Sequence, residues 1–130
     1  MRRILAAVRN PLYPFPDRSL VNAGVCSRRT GNIKEAQEYF QLALNVRPNQ
    51  PQALYHLADM AYARNDNTAA KDYLGRIART GFTSAEILWL GARVERKLGD
   101  RNSEASYAIQ LRNRYPNSVE TRALNAVQYE

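Results

Sequence analysis

One spacing constrains this chain more than any other feature: residues of the same kind recur every 34 positions without a gap. Tyr39, Tyr73 and Tyr107 fall on it, as do Leu20, Leu54 and Leu88, and Gly31, Asn65 and Gly99. Gly31 to Pro48 and Gly99 to Pro116 are matching intervals two periods apart. A fixed period of this size means one small structural unit used repeatedly. Each unit is too small to bury its own apolar face and must stack on a neighbour.

The period and the residues on it resemble the tetratricopeptide repeat, whose pattern runs W-x2-L-G-x2-Y, then A-x3-F, then P. The first copy supplies Leu20, Ala23-Gly24, Ala36, Phe40 and Pro48. The second supplies Leu54, Leu57-Ala58, Ala61, Ala70 and Leu74, with Phe82 where the Pro belongs. The third supplies Leu88, Ala92 and Pro116, with Gly91 one place early and Ala105 one place late. Helix-start chemistry repeats as well. Asn49 with Gln52, Thr83 with Glu86, and Asn117 with Glu120 read as capping boxes, while Asn32, Asp66 and Asp100 open the other helix of each pair. The expected fold is an all-α, right-handed tetratricopeptide solenoid with helices near 18–29, 33–46, 50–64, 67–80, 84–98 and 101–114. A C-terminal capping helix at 118–129 hides the last apolar face. Repeat bounds are 17–50, 51–84 and 85–118 within an array of 17–130.

Residues 1–16 read differently. Met1 to Asn10 suits the last turns of a preceding helix, with Ile4, Leu5 and Val8 on one face. Pro11, Pro14 and Pro16 then impose an extended connector, so the array looks cut open at this end. Arg2 and Arg3 ahead of a five-residue apolar run mimic a signal peptide but fall short of the ~7–15 apolar residues one needs. Ala23-Gly24-Val25-Cys26 mimics a lipoprotein cleavage box, yet it sits inside a helix, which makes Cys26 a small buried residue.

Composition narrows the chemistry. Hydrophobic residues make up 45% and charged residues 24%, enough for a core and too apolar for a disordered tail. No stretch approaches the ~20 apolar residues of a membrane span. One Cys and one His exclude a disulfide framework and a Cys/His zinc site within one chain. His56 has no Ser, Cys or carboxylate at a triad-like spacing, and no phosphate-cradling glycine loop is present. The expectation is therefore no enzyme, no metal and no cofactor. Lys plus Arg is 19 against 12 acids, net +7. The excess is spread over both helices of each repeat, with Asp59 and Glu86 interrupting it, and no regular base-reading code appears. Nucleic acid is not the expected partner.

A concave protein-binding groove remains. The tetratricopeptide resemblance implies that the first helix of each pair lines it. The places it assigns hold Val21, Val25, Arg28 and Arg29, then Tyr55, Asp59 and Tyr62, then Trp89, Arg93, Arg96 and Lys97. Arg28, Arg29, Tyr55, Asp59, Tyr62, Trp89, Arg93 and Arg96 are the candidate binding residues, since aromatic anchors rimmed by Arg suit a peptide groove. The alternative is that the aromatics fill the helix interface and the charges are ordinary solvation. Leu90-Gly91 also permits a register one residue earlier, which turns the Trp89 indole away. At the places where co-chaperone repeats clamp a partner's terminal carboxylate stand Val21, Val25, His56, Glu86 and Leu90, a departure at every one.

Longer stretches are more specific. Asn10-Pro11-Leu12-Tyr13-Pro14 leads into Ser19-Leu20-Val21-Asn22-Ala23-Gly24. Leu88-Trp89-Leu90-Gly91-Ala92-Arg93 and Leu98-Gly99-Asp100-Arg101 precede Ser106 to Ser118, read as SYAIQLRNRYPNS. Together they resemble the C-terminal half of the type IV pilus biogenesis/stability proteins, the PilF/PilW pilotins, over about residues 10–124. That resemblance implies an outer-membrane lipoprotein family that helps the pilus secretin assemble and so supports twitching motility. Its implied place is the periplasmic face of the outer membrane, and its implied partner the secretin or another pilus assembly component. The expectation is that membrane contact runs only through a lipid anchor; these residues hold no anchor, leader or first repeats, and a longer parent chain that carries them stays open. The competing readings are a generic tetratricopeptide scaffold for another peptide or protein, and an enzyme-associated regulatory domain.

Overall fold

The computed structural model describes residues 16–128, which form helices and no strands. In chain order these are α1 (Asp17–Arg29), α2 (Ile33–Val46), α3 (Pro51–Ala63), α4 (Asn67–Thr80), α5 (Ala85–Leu98), α6 (Arg101–Arg114) and α7 (Val119–Gln128). This is the expected set of three helix pairs and a C-terminal helix, with every boundary within one or two residues. The reading of residues 1–16 lies outside the described residues apart from Pro16, which immediately precedes α1. Two compact units divide inside α3, one running to Leu57 and the other from Ala58.

The turn within each pair explains the Gly31, Asn65, Gly99 period. All three take positive φ, at 85°, 65° and 79°, where a Cβ is penalised and Gly or Asn is preferred. The residue after each begins the next helix. Asp66 accepts the Ala69 N–H at 3.2 Å, and Asp100 accepts the Ser103 N–H at 3.0 Å. The Ser103 hydroxyl donates to the same Asp100 carboxylate at 2.8 Å, and these bonds hold the Asp100 carboxyl below the usual range. Asn32 behaves differently: its amide donates to the Thr30 hydroxyl at 3.2 Å, and it makes no side-chain cap. Glu35 is occupied by the Ser27 hydroxyl at 2.8 Å.

The other set of caps is one residue later than expected. Gln50 Oε1 accepts the Ala53 N–H at 2.9 Å, Ser84 Oγ the Ile87 N–H at 3.2 Å, and Ser118 Oγ the Thr121 N–H at 3.0 Å. They are again 34 apart. Thr83, expected as a cap, instead has a buried hydroxyl with no partner. These helices begin at Pro51, Ala85 and Val119, so the residue directly before each is the one whose oxygen reaches the third N–H beyond it.

Within the first unit α1 packs on α2, around Leu20, Ala36 and the fully buried Phe40. Gly24 is what allows the approach: a Cβ there would lie 2.6 Å from Phe40 Cε1. Cys26 is exposed, which corrects the buried reading. Leu20, Val21, Gly24 and Ser27 form the buried stripe of α1, and Cys26 lies about 100° around the helix from Ser27.

Within the second unit α5 packs on α6, and both contact α7. Leu88, Ala108, Leu111 and Leu124 form the core there, with Trp89 and Tyr107 against its edge. A Cβ on Gly91 would meet the Tyr107 ring at 2.6 Å, so Tyr107 fills beside Gly91 the place that Phe40 fills beside Gly24. All three period tyrosines lie on second helices, yet Tyr39 is buried while Tyr73 and Tyr107 are half-buried. Burial, aided by the Glu35 charge, pushes the Tyr39 phenol up. Burial and then Glu95 do the same for Tyr107, partly opposed by Lys71. α7 is fastened by Thr121, whose hydroxyl donates to the Tyr115 carbonyl at 2.6 Å.

Candidate functional site

In the second unit, spacing on α5 places Trp89, Arg93, Arg96 and Lys97 along one stripe, because residues three and four apart are neighbours on a helix. They border a cleft of 530 Å³ that also takes in Tyr62 of α3, Ala92 of α5, Glu104 of α6, and Leu124 and Val127 of α7. The Arg93 guanidinium carbon lies 5.3 Å from the Tyr62 ring centroid and 5.0 Å from that of Trp89. A cation over an aromatic face is attracted by about 0.5–2 kcal/mol, depending on how far water is excluded. Arg93 Nε is buried without a hydrogen-bond partner. Arg96 reaches Glu104 at 4.0 Å, an exposed pairing of little energetic weight.

Four of the candidate residues thus come together: Tyr62, Trp89, Arg93 and Arg96. Trp89 both leans on the core and borders the cleft. Asp59 is half-buried on α3 and does not line this cleft. The remaining three belong to the first unit. Arg28 Nη1 lies 3.2 Å from His56 Nδ1 and donates to it. His56 stacks on Phe40 at 4.9 Å with the planes 3° apart, and Tyr55 meets its edge at 5.2 Å. Arg29 is exposed in the last turn of α1. His56 is therefore a packed and partnered side chain.

Sequence reasoning missed the contribution of α7. Val127 stands one period beyond Arg93, just as Arg93 stands one period beyond Asp59. Carrying the groove positions onto the C-terminal helix would have found it. Leu124 gave no such signal, since it lies in the same core cluster as Leu88 and Leu111.

A second cleft, of 500 Å³, has Lys71, Phe82, Glu95, Tyr107 and Arg114 among its lining residues. Its lysine is matched internally. Lys71 Nζ donates to the buried Glu95 carboxylate at 3.0 Å and lies 3.8 Å from Asp100. The Glu95 bond is the main cause that raises the Lys71 pKa. Among the described residues no three His, Cys, Asp or Glu side chains gather as a metal site would require, and no helix is long and apolar enough to cross a membrane.

Tetratricopeptide-repeat models match residues 17–50 and 52–80. The type IV pilus assembly protein PilF of Pseudomonas aeruginosa is 34% identical over 125 residues, covering 96% of this chain and 50% of that protein. A solved structure of PilF from the same organism superposes with a TM-score of 0.82, over 96% of this chain and 56% of its own. The structure of PilW, described as a widely conserved type IV pilus biogenesis factor, gives a TM-score of 0.72 at 28% identity, over 88% of this chain and 53% of its own. The chain spans about half the length of these relatives.

Proposed function

Because this chain belongs with PilF and PilW among the tetratricopeptide-repeat proteins of type IV pilus biogenesis, we propose that it is a non-catalytic protein-binding module of pilus assembly. Its partner in this reading is the pilus secretin or another assembly component. It works at the periplasmic face of the outer membrane, as a pilotin does, and so supports twitching motility. The cleft bordered by Tyr62, Trp89, Arg93 and Arg96 is the surface that holds the partner segment. The observation that carries this is the Arg93 guanidinium placed over two aromatic rings at the mouth of a cleft with apolar side chains from α7. Large aromatics and Arg are the residue types on which binding energy concentrates at protein interfaces.

The test is titration of the purified periplasmic part of the secretin against the parent chain and Tyr62→Ala, each followed also by thermal unfolding. Tyr62 is half-buried, so its truncation should weaken binding by about 1–3 kcal/mol with little change in melting. Tyr55→Ala, in the first unit, is the comparison. If Tyr62→Ala binds like the parent and only melts earlier, the ring is packing and the cleft is not the docking surface.

A further inference from the structure

The geometry points to a specific ligand chemistry for this cleft: it selects a protein segment that presents a carboxylate beside an apolar side chain. This rests on the protein-binding reading of the same cleft. Among the described residues, Arg93, Arg96 and Lys97 border it against a single acid, Glu104, and that acid approaches Arg96. Among the described residues Arg93 and Lys97 form no ion pair, and Arg93 Nε is a buried donor left without an acceptor. Hydrogen-bonding groups held away from water without partners are costly, and supplying an acceptor recovers that cost.

The shape of the cation decides what kind of acceptor fits. The Arg93 guanidinium carbon lies 5.3 Å and 5.0 Å from the Tyr62 and Trp89 ring centroids, and the planar N–H fork of a guanidinium matches a carboxylate two bonds at a time. The rings also hold the fork in place before a ligand arrives, which lowers the ordering cost of binding. Leu124 and Val127 supply the apolar wall for the neighbouring side chain. The second cleft makes the contrast: its Lys71 is already bonded to the buried Glu95 carboxylate.

Trp89 is the chain's one tryptophan, so its emission reports the cleft directly. The probes are two short acetylated and amidated peptides, one alternating Glu with Leu and the other Gln with Leu. They are titrated into the full chain with Trp89 emission and peptide anisotropy as readouts. The Glu peptide is expected to bind at least about tenfold tighter, a difference of ~1.4 kcal/mol, with the margin shrinking as salt rises. Arg93→Gln should bring the two peptides to within about twofold of each other. Arg114→Gln, the same change of charge at the other cleft, should keep the preference. Equal binding of both peptides to the parent, no binding of either, or a preference that survives Arg93→Gln would each overturn the carboxylate assignment. None of these touches the docking role itself, which fails separately if secretin binding is indifferent to Tyr62→Ala. The parent's own peptide comparison needs no variant to fold.

Discussion

A methyl group added at Gly24 would meet a ring that has nowhere to go. The Cβ of Gly24→Ala falls 2.6, 2.8 and 2.9 Å from Cε1, Cζ and Cδ1 of Phe40. Carbon atoms in contact prefer ~3.5–4.0 Å, so the ring must retreat by roughly an ångström. Phe40 is fully buried, and its ring is stacked on His56. Overpacking of this kind costs ~1–3 kcal/mol, set against ~1 kcal/mol gained because Ala is the better helix former. Gly75→Ala on α4 makes the same chemical change with no atom within 4 Å, so it should collect the helix gain alone. The gain cancels between the two variants, and their difference isolates the overpacking at ~1–3 kcal/mol. Gly91→Ala should fall between them, since the Tyr107 ring it meets is only half-buried. Urea unfolding followed by circular dichroism ranks the three. Hydrogen exchange over α1 and α2 localises the loss, which matters because a repeat array need not unfold in one step. If Gly24→Ala proves as stabilising as Gly75→Ala, the glycine is not there to admit the ring.

Three further outcomes are expected. Ser118→Ala should cost ~1 kcal/mol and fray α7 first in hydrogen exchange, since the hydroxyl caps the helix at Thr121. The Asp100 carboxyl titrates lower when folded than unfolded. Its stabilisation is therefore complete above the ordinary carboxylate pKa of about 4 and is lost as the pH falls through the folded value. Melting followed on acidification should show this loss in the parent, and Asp100→Asn should reduce it. Cys26 should react fully with a maleimide in the native protein, at a rate that adding urea barely raises, because it is exposed.

The helices and their order were legible because period, turn residues and apolar spacing agree on them. The caps were misplaced by one because two polar residues stand in tandem at each start: Asn49-Gln50, Thr83-Ser84 and Asn117-Ser118. Side-chain preference favours the first at Asn49 and Asn117, but only the second sits next to the helix. Cys26 was misread because the local pattern around it is apolar while its side of α1 is not the buried one. Tyr107 illustrates a subtler limit. Gly24 to Phe40 and Gly91 to Tyr107 are both sixteen residues apart, so the packing pair in the third repeat slid by one together while the helices kept the period. At the candidate site, Arg93 and Tyr62 were readable from repeat position. The unpaired state of the Arg93 donor and the wall supplied by α7 depend on packing distant in sequence and could not be read from spacing.

The two interleaved sets of helix starts, at Asn32, Asp66 and Asp100 and at Gln50, Ser84 and Ser118, have an evolutionary consequence. Five of the six close their first turn with a side-chain bond made within three residues. A segment cut between equivalent starts, such as 50 to 84, carries its own sealing group and leaves another at the join. Gaining or losing one period therefore strands no backbone donor at the seam, and the change is judged only on how well the new neighbours' apolar faces match. Chains of this architecture can change length by recombination at those points far more readily than by insertions of any other size. Homologues that differ in repeat number should have their breakpoints at the capping residues.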